Sequence, residues 1–336
     1  MSTQYLRNLS VVVSDPSGTG LDLGALRCVF RITRGDTSTP NTCDVTVYNL
    51  SANTAAKLRY RGVNEFTRLT LSVSYGTEPV KLLFTGSIKQ VRSGREDQLN
   101  SYVAITAADG DEAYNFAPAA FAMAAGVTAE GTVEALIAQM ALAAAGSPTG
   151  GSGGQVVTQG YMPTLSQKKS LRGKVVYGLC RDEMTKVARN NDCTWSVQDG
   201  KAVFVPLTGY IPGAPVLITP STGLLGVPEQ TQNGLELRVL MNPNIKIGQT
   251  IKLDSTDVNE LRFGLDNQSV SQNLTLQQGA AKLNGDGLYY VMRAEHFGDT
   301  RGEAWYTDLI CLAVDIEVPD SALATAIIPA DAIPRY

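Results

Sequence analysis

In "ALRCVFRITRG", residues 25–35, Cys28, Phe30 and Ile32 fall on one parity and Arg27, Arg31 and Thr33 on the other. A period of two marks a strand with one buried face. "CDVTVYNL" repeats the pattern, with Val45 and Val47 set against Asp44 and Thr46. Ser51 then stands as the N-cap of a short helix through "SANTAAKLRY", predicted to end near Arg61-Gly62. Three further alternating runs follow, "RLTLSVSYG", "LLFTGSIKQVRSG" and "SYVAITAAD", with "SGREDQ" as an exposed hairpin tip between the last two. Strands this closely spaced, with turn residues between them, predict a barrel or sandwich for residues 1–112.

The rhythm then changes. "TVEALIAQMALAAA" places Val133, Leu136, Ile137, Met140 and Leu142 near helical spacing, with Thr128 or Thr132 as cap. "GSPTGGSGGQ", near residues 146–155, reads as a flexible Gly/Ser-rich loop. A second helix is predicted over residues 175–191, with Val176, Leu179, Cys180, Met184 and Val187 on one face. After it, "CTWSVQDGKAVFVPL" carries Asp199-Gly200 between two apolar runs, the strongest hairpin signal in the chain. Residues 113–218 thus read as a mixed α/β middle region and 219–318 as a second β-rich region. Residues 319–336, with Pro319, Pro329 and Pro334, read as an extended C-terminal tail.

The two β-rich regions state one plan twice. "LELRVLMNPNIKIGQTIKL" and "LYYVMRAEHFGDTRGEAWYTDLICLAVD" answer the N-terminal strands, and aligning Phe84 with Tyr290 sets "FTGSIKQV" against "YVMRAEHF". Each copy continues through a polar turn into another alternating strand. Two barrel-sized modules in one chain point to a pseudo-symmetric assembly part rather than to a catalyst.

Composition narrows the choices. With 336 residues the chain exceeds the size at which a single core stops growing, so two to four domains are expected. Apolar residues make up 43% and charged residues 18%, low enough to hint that partners cover much of the surface. A net charge of −4 argues against holding a phosphate backbone by bulk attraction. No run of 18 apolar residues predicts a membrane span. "MSTQYLRNLSVVVSD" lacks a signal-peptide pattern, so folding in the cytosol is the expectation. Cys28, Cys43, Cys180, Cys193 and Cys311 are scattered, odd in number and without C-x-x-C spacing, which predicts reduced core thiols.

Candidate chemistry is thin. "GGSGG" formally matches a nucleophile elbow with Ser152 as nucleophile, but a polar low-complexity tract stands where a strand and helix are needed. His296 is the one histidine and falls on a strand beside a turn, which predicts a packed or solvated ring, with interface contact as the alternative. Without a second histidine or a cysteine cluster, a transition-metal site is not expected. Asp109, Asp111 and Glu112 lie close together but lack the rest of a calcium loop, and acidic residues opening a helix complement its dipole. "GDTRGE" sets Asp299, Arg301 and Glu303 in one tight turn and reads as a hairpin tip, with a role in subunit contacts as the alternative. "GTGLDLG" has the wrong spacing for a dinucleotide loop. No catalytic, cofactor-binding or metal residue is predicted.

The order strand–"VYNLS"–short helix–strand–"LFTGSI", then "WSVQDGK", "GLLGVPEQTQNGLELRVLMNPNIKIGQ" and "VMRAEHFGDTRGEAWYT", resembles the baseplate hub proteins of tailed bacteriophages. Asn49-Leu50-Ser51, Asp199-Gly200, Asn242-Pro243 with Ile247-Gly248, and residues 296–305 carry most of the likeness, which covers most of residues 25–315. The "GGSGG" insertion and the proline-bearing tail depart from it. The resemblance implies a mostly β fold with an α+β insertion: two tail-tube-like β-barrel domains plus a smaller helix-and-hairpin domain. It further implies a homotrimeric ring in a virion tail baseplate, its six barrels joining a hexameric tail tube to a central spike. Implied partners are further copies of the chain, a tail-tube or distal tail protein, a spike protein and baseplate wedge proteins. DNA would pass through during ejection without specific binding, and no stable membrane insertion is implied. The alternative is a tail-associated cell-wall hydrolase or carbohydrate-binding β-protein, for which Trp195 and Trp305 are a thin supply of stacking surface.

Overall fold

A computed structural model describes residues 6–15, 20–59, 67–145, 155–231, 234–253 and 287–314. The N-terminal part contributes β1 (Arg7–Ser14), β2 (Gly20–Asp22), β3 (Cys28–Gly35), β4 (Thr42–Tyr48), α1 (Ala52–Arg59), β5 (Arg68–Tyr75), β6 (Lys81–Arg95) and β7 (Ser101–Ala108). The middle part holds α2 (Asp111–Phe116), β8 (Pro118–Met123), α3 (Ala129–Ala145), β9 (Thr158–Gln159), β10 (Lys174–Leu179), α4 (Cys180–Arg189), β11 (Cys193–Gln198) and β12 (Lys201–Pro206). The last part supplies β13 (Val216–Ile218), β14 (Leu224–Thr231), β15 (Gly234–Leu240), β16 (Thr250–Leu253), β17 (Leu288–Asp299) and β18 (Trp305–Ala313). The fold is mostly β with an α+β insertion.

Local chemistry explains the boundaries. Ser51 accepts the Thr54 amide and so caps α1, while Thr128 accepts the Gly131 amide at the start of α3. Asn49 adopts φ 55° between β4 and α1, and its side-chain oxygen accepts the Ser101 amide. All five cysteines are free and buried. The expected end of α1 at Arg61-Gly62, the Gly/Ser tract with Ser152, and the tail 319–336 lie outside the described residues.

One expected helix is shorter than its apolar spacing implied. Residues 174–179 form strand β10 against β8, with Val176 opposite Phe121 and Tyr177 opposite Ala120, and α4 begins only at Cys180. Gly178 at φ 140° breaks the helical path, and the neighbouring Val175-Val176 favours a pleated surface. Cys180, Met184 and Val187 still share a buried helical face.

Among the described residues, thirteen strands join one sheet in the order β14-β15-β18-β17-β3-β4-β7-β6-β5-β1-β2, with β16 pairing to β17 and β13 to β16. Two matching paths are contained in it. In the N-terminal part the order is β3-β4-β7-β6-β5-β1, and in the C-terminal part β14-β15-β18-β17-β16-β13. They differ where β1 meets β5 antiparallel but β13 meets β16 parallel. A register shift between Val291 and Arg293 lets β17 serve both parts: residues 288–290 pair with β16 and residues 293–299 with β3.

Three main apolar clusters form, one per part. Trp305 and Met241 come from the C-terminal part yet pack in the N-terminal cluster. The Trp305 indole N–H donates to the Tyr75 hydroxyl at 3.0 Å, and that hydroxyl donates to the Met241 carbonyl at 2.6 Å. Phe30 meets Trp305 edge-on at 5.8 Å between ring centroids. The N- and C-terminal parts are thus joined by backbone pairing and by a shared core. No helix among the described residues is long and apolar enough to cross a membrane.

Candidate functional site: a polar junction between the modules

The middle part, whose β11, β12 and β9 form their own sheet, meets the thirteen-stranded sheet at the β11–β12 turn. Asp199 (φ 53°) and Gly200 (φ 76°) are both left-handed, as a two-residue type I′ hairpin requires. The turn is clasped from the N-terminal part. Asp109, at the end of β7, is fully buried, and its carboxylate accepts the Asp199 amide at 2.5 Å and the Gly200 amide at 2.8 Å. Arg34, the last inward position of β3, donates to the Leu83 carbonyl at 2.8 Å and to Gln198 Oε1 at 3.2 Å, and pairs with Asp199 Oδ2 at 3.0 Å.

Amide side chains fill the remaining positions. Asn41 donates to the Val197 carbonyl and to Gln198 Oε1, and accepts the Gly35 amide. Gln198 donates to the Gly35 carbonyl at 2.7 Å. Gln155 accepts the Gly110 amide and donates to the Thr85 carbonyl, while its own amide donates to Ser87. From the C-terminal part, Lys246 reaches the Leu82 carbonyl at 3.2 Å and Asp199 Oδ2 at 3.4 Å. All three parts of the chain therefore meet at Asp199.

Burial controls the charge states here. It pushes the Asp109 carboxyl up from 3.8 to about 6; Arg34 opposes the rise, Asp199 adds to it, and the two backbone amides oppose it. His296, on β17, is buried and exchanges a 2.8 Å hydrogen bond with Thr307. Burial, reinforced by the positive charges of Arg34 and Lys246, pushes the imidazole down from 6.5 to about 3, so the ring is neutral. With no proton to exchange near neutrality, it acts as packing.

The other sequence candidates lie apart. Asp111 and Glu112 occupy the first turn of α2, as helix-opening acids should, and Asp111 pairs with Lys89. Asp109 differs from them, because it caps a hairpin rather than a helix. Asp299 pairs with Arg27 at 2.8 Å, and Thr300 exchanges backbone and side-chain hydrogen bonds with Cys28. Arg7 reaches the Gly302 carbonyl at 2.9 Å. The 299–304 tip is consequently clamped onto the chain's own N-terminal part. No group of His, Cys, Asp and Glu able to hold a metal occurs among the described residues. The arrangement binds modules to one another; it brings together no nucleophile and base.

Sequence reasoning missed Arg34, Asn41, Gln155, Gln198 and Lys246 as partners. A signal existed for one of them, since Arg34 continues the inward parity of Phe30 and Ile32.

No family model and no curated protein matches this sequence. Solved structures do resemble it in fold. The prophage MuSo2 43 kDa tail protein from Shewanella oneidensis is 8% identical, with 93% of this chain and 98% of that one aligned at a TM-score of 0.53. The tail protein from Neisseria meningitidis MC58 is 12% identical, with 93% and 98% aligned at 0.52. A chain of the lidded Francisella PdpA-VgrG complex is 8% identical, with 95% of this chain and 55% of that one aligned at 0.51. The chain shares its fold with these structures over nearly all of its length.

Proposed function

We propose that this chain is a structural, non-enzymatic hub of a phage-type tail, a homotrimeric ring in the baseplate that joins a hexameric tube to a spike and lets a genome pass. The observation that carries the reading is the seam at β17. One strand is shared by two parts with matching strand order, so each subunit offers two similar β modules in a fixed relation. Three subunits then present six modules to a sixfold tube. Support also comes from the fold shared with two tail proteins and from a junction whose contacts tie the modules together.

In this reading the outer face of the shared sheet lines the bore. Arg31, Arg238 and Arg293 on that face are each paired with a carboxylate, of Glu295, Asp308 and Glu295 respectively. Paired cations have little left to exchange for phosphate counterions, so DNA slides past without being held. Its partners are two further copies, a tube or distal tail protein, a spike protein and neighbouring wedge proteins. Antibody labelling of intact particles, followed by symmetry-resolved imaging, tests the placement at the tail tip.

A further inference from the structure

The seam inside the chain has an unfinished counterpart. Strand β17 has three strand neighbours: β18 along one side, and on the other β16 over residues 288–290 followed by β3 over 293–299. Strand β6 holds the equivalent place in the N-terminal path but has only two. It pairs with β7 along one side, and on the other with β5, whose ladder ends at Ser87. Among the described residues no strand continues along that second side, so residues 89–95 keep an open edge. Strand β14, which stands where β3 stands, pairs only with β15 and leaves its other edge open as well. Open strand edges are templates for pairing with another chain.

The two bulges fix how the parts superpose. β6 is bulged between Ile88 and Gln90, and β17 between Val291 and Arg293, each where its first neighbour ends. Bulge on bulge, Gln90 falls on Arg293 and Arg92 on Glu295, three residues from the register that sets Phe84 on Tyr290. The ladders carry this register across each sheet. Gln90 pairs with Thr106, Thr106 with Asp44 and Asp44 with Arg31. In the C-terminal part Arg293 pairs with Ile310, Ile310 with Glu236 and Glu236 with Glu229. Arg31 on β3 therefore corresponds to Glu229 on β14.

Charge then links the two open edges. Across the internal seam, Arg31 pairs with Glu295 at 2.8 Å. The corresponding positions on the open edges are Glu229 and Arg92, the same pair with its signs exchanged. Both are exposed, and neither enters an ion pair among the described residues. Opposite charges facing across neighbouring strands stabilise the pairing. A contact between unlike edges, β14 to β6, is head-to-tail and closes into a ring when its rotation closes.

We propose that β14 of one copy adds antiparallel to the open edge of β6, residues 89–95, in the next copy, with Glu229 set against Arg92. This seam between copies repeats the internal seam between β3 and β17, so internal and external seams alternate around the ring. The number of three copies rests on the proposed function, whereas the choice of strands rests on the internal repeat.

Sedimentation velocity over a concentration series tests this on the full chain, on Arg92→Glu, on Glu229→Arg and on the two combined. The natural chain should form trimers. Each single reversal sets like charges together in every seam, and should raise the concentration needed for half-assembly at least about tenfold. The combined variant should return to the natural value, and unchanged melting temperatures would show that the subunit fold is intact. Trimers that survive both single reversals, or a combined variant that stays dissociated, would overturn this seam and leave the ring standing. A natural chain that is monomeric at every concentration would overturn both. All five natural cysteines are buried, so a short bismaleimide acting on an Arg92→Cys, Glu229→Cys variant reports on the same contact. Covalent trimers are expected, whereas covalent dimers as the end product would mark a twofold contact and overturn the proposal.

Discussion

The carboxylate of Asp109 accepts the backbone amide of Gly200 at 2.8 Å, across 91 residues of sequence. One buried acid at the end of a strand thus locks the hairpin of the middle module into the sheet of the first. Asp109→Asn retains one acceptor oxygen and leaves one of the two turn amides unmatched. The expected cost is about 1–3 kcal/mol, read as a lower urea midpoint at unchanged m-value.

The same acid gives a pH signature. Its folded pKa, about 6, lies above the ordinary 3.8, so the folded state binds the proton more tightly. Its contribution to stability is full below about pH 4 and is lost as pH rises through 6. The stability difference between the natural protein and Asp109→Asn should therefore be larger at pH 4.5 than at pH 7.5. A difference that grows with pH instead would contradict the assignment.

His296 runs the other way. Its pKa is depressed to about 3, so its contribution is present above pH 6.5 and lost as pH falls toward 3. Replacing it with leucine should cost stability at pH 7.5, because the Thr307 hydroxyl loses its buried partner. Melting temperatures between pH 7.5 and 4 should show a shallower acid loss in the leucine variant than in the natural protein.

At the seam between the two β parts, Tyr75→Phe removes the hydroxyl that both Trp305 and Met241 use. Each buried group left unmatched costs about 1–3 kcal/mol. Gly298→Ala strikes the same seam sterically, since a Cβ there would lie 2.3 Å from Phe30 Cζ. Overpacking of this kind costs about 1–3 kcal/mol, and calorimetry of both variants should show lower melting temperatures.

Bore chemistry predicts a functional outcome under the proposed role. Glu295→Lys with Asp308→Lys removes the carboxylates that hold Arg31, Arg293 and Arg238. Assembly should persist while genome release slows, most strongly at low salt, because the freed cations then retain phosphate. Unchanged release at low salt would place this face away from the DNA path.

Much of this organisation was legible because local rules suffice for it. The parity of Cys28, Phe30 and Ile32, the Ser51 cap and the Asp199-Gly200 turn each express backbone chemistry within a few residues. Aligning Phe84 with Tyr290 sets β6 on β17 and β7 on β18, strands at equivalent places in the two paths. Residues 174–179 misled because valine and leucine at that spacing suit either period, and Gly178 decided for a strand. The junction was hidden for a different reason. Asp109 and Asp199 are 90 residues apart, and Lys246 is 47 residues from Asp199, so only the closed topology brings them and Arg34 together.

Under the proposed role, three copies of this chain form one ring at a tail tip. Electron cryomicroscopy of intact particles bearing an antibody fragment against this chain measures that directly. Three fragments per particle are expected, set by threefold symmetry at the junction of tube and spike. Six fragments around one ring, or a single copy on a peripheral fibre, would contradict it.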